Sequence, residues 1–103
     1  MTREQVASLR THFANLGNRP GILEELVNRS GKTFNDLLPT EDELYRELRY
    51  VKADDVRNVS MAFAKLFLTK VMLIAGSPRY EAEQLASKTI MENPYFADAF
   101  RAN

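Results

Sequence analysis

The residues with the most chemical potential in this 103-residue chain are one histidine, three runs of carboxylates and one Ser-Gly-Lys-Thr string. His12 is the only imidazole. A nucleophilic triad needs a base beside its nucleophile. His12 falls roughly 70° from the centre of the apolar face of its helix, using the helical period. That position suits a boundary residue packing its ring edge. No HxxxH or HExxH spacing offers a metal site, and no cysteine supplies a thiolate.

The carboxylates occur as Glu24/Glu25, Glu41/Asp42/Glu43 and Asp54/Asp55. Two carboxylates can do acid–base work when a pocket splits their pKa values. All three runs fall at expected helix starts, where negative charge stabilises the macrodipole. Helix electrostatics explains them without a catalytic site. The SGKT string at Ser30–Thr33 lacks the upstream glycine of a phosphate loop, and no strand precedes it. It reads as a helix end and a connector. No catalytic residue, metal, cofactor or small-molecule substrate is expected.

Composition narrows the classes further. Basic and acidic residues number 14 each, so no general field draws the chain toward nucleic acid or an anionic membrane. Hydrophobic residues make up 45% and charged residues 27%, which are globular values. The length suits a single domain spanning 1–103. The absence of cysteine fits a reducing cytosol. The opening residues, MTREQVASLR, lack the apolar core of a signal peptide. The longest apolar-rich stretch is broken by Lys65, Thr69 and Lys70, short of the roughly 20 apolar residues of a membrane span. A cytoplasmic location is the expectation.

The elements that would position these groups are helices. Thr2-x-x-Gln5 is a capping box, followed by Val6, Leu9, Phe13 and Leu16 on one face, with Gly17 as the helix stop. Pro20 suits the first turn of a second helix, whose core face is Ile22, Leu23, Leu26 and Val27; Gly31 ends it. Residues 32–39 form a connector with one helical turn at Phe34–Leu38, closed by Pro39. Thr40-x-x-Glu43 is another capping box, opening a helix striped by Leu44, Leu48 and Val51 and flanked by Tyr45. A break is expected near Lys52–Asp55, because Asp54 and Asp55 read as an acidic helix start. After the next helix, Gly76-Ser77-Pro78 stops and restarts the chain, with Ser77 as cap and Pro78 at the first helical position. Ala82, Leu85, Ala86, Thr89 and Ile90 stripe the last long helix. Beyond Asn93-Pro94, Phe96, Ala99 and Phe100 are expected to fold back on the core. The fold class is all-α: a compact bundle of four or five helices around an apolar helix at about 54–75.

Two motif readings touch these helices. Residues 22–38 have the spacing of a helix-turn-helix, with Arg29 and Lys32 placed to meet phosphates. Pro39 would truncate its recognition helix, and Asp36 adds an acid near the presumed groove. Tyr80-Glu81-Ala82 through Asn93-Pro94 resembles the second half of a tetratricopeptide repeat, with Ala82, Ala86 and Pro94 at compatible spacings and Thr89 in place of the usual alanine. It covers about a fifth of the chain. Such repeats need several copies to bury a continuous core, and no second copy occurs, so the stretch reads as a helix-packing signature.

The remaining signal is excess apolar surface on the helix at 54–75. Val56, Val59, Phe63, Phe67, Val71 and Ile74 cluster on one side. Asp54, Asn58, Lys65 and Thr69 mark a narrow wet stripe, bordered by Met61, Leu68 and Met72. An amphipathic helix normally shows an apolar arc slightly wider than 100°; this one is nearly apolar all round. Met61, Leu68 and Met72 are therefore the expected partner-binding edge, since methionine suits adaptable surfaces and two-fold dimers commonly cover such a stripe. The expected function is a small non-enzymatic protein–protein interaction module (an adaptor, chaperone or stoichiometric inhibitor or regulator), dimeric or bound to another protein. A helix-turn-helix regulator acting on DNA through residues 22–38 is the alternative.

Overall fold

The computed structural model describes residues 1–16 and 22–93, with Leu16, Ile22, Leu23, Glu24 and Leu26 described by backbone alone. Helix starts follow the local capping chemistry. Thr2 opens α1 (Arg3–Leu16): its N–H donates to Gln5 Oε1 at 2.9 Å, and Gln5 N–H donates to Thr2 Oγ1 at 3.2 Å. Helix α2 (Ile22–Ser30) carries the Arg29–Glu25 pair one turn apart and ends at Gly31, whose φ of +70° only glycine adopts cheaply.

Two further capping boxes follow. Thr33 and Asp36 cap a single turn, α3 (Phe34–Leu37); Thr40 and Glu43 cap α4 (Glu41–Leu48). Between them Leu38 is extended, as a residue preceding proline prefers. Helix α4 stops at Leu48, so Val51 lies in the following turn and not in the α4 stripe. The chain then turns until Asp55, whose carboxylate accepts from Asn58 N–H at the start of α5 (Val56–Ile74). The expected break is present, and it begins earlier than Lys52.

Helix α5 ends in a Schellman arrangement. Ser77 N–H donates to Met72 O and Gly76 N–H to Leu73 O, both at 3.0 Å, with Gly76 at φ +99°. Ser77 thereby belongs to the end of α5 and does not cap the next helix. Pro78 takes the N-cap of α6 (Arg79–Glu92) with no side-chain cap bond, and its carbonyl accepts from Ala82 N–H at 2.9 Å. The sequence expectation is one residue out at both positions.

The result is an all-α bundle of six helices among the described residues, one of them the four-residue α3. Helix α5 packs against α2, α3, α4 and α6, while α1 lies on α4. Its buried row is Val59, Phe63, Phe67 and Leu68. Phe63 meets Phe13 of α1 with ring centroids 4.6 Å apart, and Phe67 meets Phe34 of α3 at 5.7 Å. Tilted aromatic pairs of this kind add about 0.5–1.5 kcal/mol beyond their buried area. Ala82 and Ala86 are fully buried on α6, which lets that backbone approach α5 closely.

The expected core side of α5 is right in its middle and wrong at its ends. Val56 and Ile74 are each 42% exposed, because a 19-residue helix outruns the shorter elements that cover it. Thr69 is buried, with its hydroxyl donating to Lys65 O at 2.8 Å. The expected wet stripe is therefore closed on that side by neighbouring helices. Leu85, expected in the α6 stripe, is exposed: it lies one residue, or about 100°, away from Ala86. Gly17, Pro20, Pro94, Phe96, Ala99 and Phe100 lie outside the described residues. Among the described residues no helix is long and apolar enough to cross a membrane.

Candidate functional site

A groove of about 310 Å³ runs between the end of α4, the first half of α5 and the last turns of α6. It exists because of three sequence features. The early stop of α4 leaves Val51 at its head, half-buried. The 19-residue length of α5 carries Met61 and Ala62 along its floor. The small Ala82 and Ala86 bring α6 close, and Ile90 and Met91 form the opposite wall.

Within this lining, Ile90 is buried, Met61, Ala62 and Val51 are half-buried, and Met91 is 79% exposed. The rim is polar: Glu47, Asn58, Lys65 and Ser87. Lys65 and Glu47 pair loosely across α5 and α4 at 3.8 Å. Apolar surface ringed by polar groups is the usual make-up of a docking surface.

The structure divides the three residues expected to form the partner edge. Met61 lines the groove. Leu68 is only 5% exposed and belongs to the core. Met72 is half-buried near the far end of α5, outside the groove. Leu68 departs from expectation because α4 and α6 close over the second half of α5. Met91 and Val51 were missed. Met91 had a legible signal, an apolar residue beside Ile90 but off the Ala82–Ala86–Ile90 row. Val51 had none, since its place depends on where α4 stops.

A second, smaller cleft of about 130 Å³ lies further along α5. It gathers Glu43 and Glu47 of α4, Lys65 and Lys70 of α5, and Arg79 and Glu83 of α6. Each carboxylate has a cation: Lys70–Glu43 at 3.4 Å, Lys65–Glu47 at 3.8 Å and Arg79–Glu83 at 3.7 Å. Lys70 also donates to Leu38 O at 2.8 Å, tying α5 to the connector. Burial pushes the Glu43 carboxyl up, but hydrogen bonds from the Thr40 backbone and hydroxyl and the charge of Lys70 outweigh it, and its pKa falls below the ordinary 4.5. The arrangement staples α4 to α5.

That shift has a direction for stability. A carboxyl lowered in the folded state stabilises it above the unfolded pKa and loses that contribution as pH falls through the folded value. Wild type is therefore expected to exceed Glu43→Gln in urea midpoint at pH 7, with the gap closing as pH drops below about 4.5. Glutamine keeps the capping geometry, so the comparison isolates the charge. A gap that does not change with pH would remove this account.

The other sequence candidates stand apart from the groove. His12 is exposed on α1, in a shallow depression with Glu4 and Ser8, its ring edge against Phe13 at 5.6 Å. Asp42 and Glu41 face Arg3, at 2.6 and 4.0 Å. Asp54 is exposed, and Asp55 caps α5. The Ser30–Thr33 string satisfies itself: the Ser30 hydroxyl donates to Val27 O and accepts from Lys32 N–H, and Thr33 caps α3. Arg29 and Lys32 are exposed, with Arg29 held by Glu25 at 2.6 Å. The helix following them, α3, is one turn long and carries Asp36, whose carboxyl is lowered by the Thr33 backbone and hydroxyl and stays anionic. Among the described residues, no group of three or more metal-type ligands converges.

No protein-family model, curated protein or solved structure matches this chain.

Proposed function

We propose that this protein is a small non-enzymatic interaction module of the cell interior that joins a second copy of itself through the groove between α4, α5 and α6. The observation that carries this is Met91, 79% exposed beside Met61, Ile90 and Val51. A flexible thioether on each wall lets the groove adapt to an inserted side chain. A two-fold arrangement would place the same groove on both protomers, so one patch supplies both halves of the contact. The cysteine-free composition suits a reducing compartment.

Sedimentation equilibrium tests the reading. Dimers are expected at tens of micromolar, and Met91→Asp is expected to weaken association at least about tenfold, since a desolvated carboxylate at an apolar contact costs more than 1.4 kcal/mol. The thermal midpoint of the variant should hold within a few degrees, because an exposed side chain contributes little to folding. A wild-type chain that stays monomeric at several hundred micromolar overturns the proposal.

A further inference from the structure

The edge of α6 that borders the groove is an exposed row. At the helical period, Tyr80, Gln84, Ser87 and Met91 fall within an arc of about 60°. Tyr80 is 73% and Met91 79% exposed, Gln84 is exposed, and Ser87 is half-buried. The spacing along the row is four, three, four, which is the seam of a two-helix coiled coil. It reads the same from either end. A second α6 laid antiparallel on the first therefore sets Tyr80 against Met91 and Gln84 against Ser87, and the two-fold axis repeats both contacts. Ser87 is small enough to let the helices approach, and the polar middle layer fixes the register at some cost in affinity.

The groove favours this direction. Ser87 and Met91 line it, whereas Tyr80 lies roughly 16 Å from Met91 along the helix. Tyr80 thus stands off the groove of its own chain. An antiparallel second helix carries its Tyr80 to the groove mouth beside Met91. A parallel one would set Tyr80 on Tyr80 and leave the groove unfilled.

The charges are complementary in the same arrangement. Glu81 and Lys88 stand on one flank of the row, about 90° and 70° from its centre. A two-fold axis across an antiparallel pair brings like flanks together, so Glu81 of each copy faces Lys88 of the other. Neither is firmly held within the chain. Lys88 meets Glu92 of its own helix at 3.9 Å with both side chains mostly exposed, and Glu81 pairs with no cation among the described residues. Glu83, on the opposite flank, is paired with Arg79 at 3.7 Å.

We infer that two copies join through antiparallel α6 helices, with Tyr80 of each seated beside Met91 of the other and Glu81 paired with Lys88 across both ends. This rests on the reading of the groove as a self-association surface.

Sedimentation equilibrium on single and paired charge variants tests the geometry. Tyr80→Ala is expected to weaken association at least about fivefold, as loss of an aromatic anchor does. Lys88→Glu and Glu81→Lys should each weaken it about threefold or more, because each sets like charges face to face at both ends. The double variant Glu81→Lys/Lys88→Glu restores opposite signs and should return close to wild type. Lys32→Glu makes the same change of net charge away from α6 and should stay within about twofold of wild type. All these side chains are exposed, so thermal midpoints should hold within a few degrees. A double variant as weak as the singles overturns the inference. So does weakening by Lys88→Glu without weakening by Glu81→Lys, which would point to parallel helices with Glu83 as the partner of Lys88. Association lost in Met91→Asp but untouched by Tyr80→Ala and both charge variants keeps the groove contact and removes the α6 pairing. A wild-type chain that never dimerises removes both.

Discussion

Phe63→Ala is expected to lower the stability of the fold by about 3–5 kcal/mol, the cost of removing a fully enclosed aromatic ring. Phe63 has no solvent exposure and meets Phe13 in a tilted ring pair with centroids 4.6 Å apart. It is the point where α5 holds α1. The truncation leaves a cavity, because α1 is tied to α4 and the connector before it, and α5 to the same connector through Lys70 and Leu38 O, so the helices close over it only in part. Arg10 donates to Pro39 O at 2.7 Å, and Arg3 meets Asp42 at 2.6 Å. A domain of this length has roughly 5–15 kcal/mol in total, so the variant should be near the edge of folding at 37 °C. Urea denaturation reads the loss. Phe63→Leu, which keeps most of the volume, should recover more than half of it. A loss under about 1 kcal/mol for Phe63→Ala would mean that the aromatic pair is not the joint between these helices.

Leu68→Ala should cost about 2–5 kcal/mol, whereas Met61→Ala should cost about 1 kcal/mol or less. Both residues sit on one edge of α5, seven positions apart, and the helical wheel makes them equivalent. The structure separates them. Leu68 is enclosed by the second half of the bundle; Met61 lines the open groove. The expected effects on self-association run the opposite way. Met61→Ala should weaken it with little change in the thermal midpoint. Leu68→Ala should lower the midpoint and, measured below its own unfolding transition, leave association close to wild type. Equal stability losses at the two sites would show that the groove is closed over Met61 as well.

The legible part of the site follows the same line. Met61 could be found from periodicity because its helix is apolar on nearly every face, so some of that surface had to lie near an edge. Which part of the edge stays open depends on the lengths of the covering helices. Helix α4 is only eight residues long, and where it stops decides that Val51 heads the groove. Helix α6 covers α5 through two alanines and then ends beside Asn58 and Met61. Neither length can be read from α5 itself. Val56 and Ile74 show the same effect at the two ends of the helix: both have core-like periodicity, and both are exposed because nothing extends far enough to cover them.

The chain by itself determined the local chemistry. Thr2, Thr40 and Asp55 begin helices, and Gly31 and Gly76 end them, because a free N–H or a left-handed residue is satisfied within four positions of sequence. It also determined the helical class, since the 3.6-residue period runs through every long segment. Tertiary structure alone decided that Leu68 is core while Met61 faces a groove, that Thr69 is buried, and that six charged residues from three helices pair in one cleft. Those outcomes depend on where one helix ends relative to another. The helical period records which face of a helix is apolar; what lies across from that face is set by elements distant in the chain.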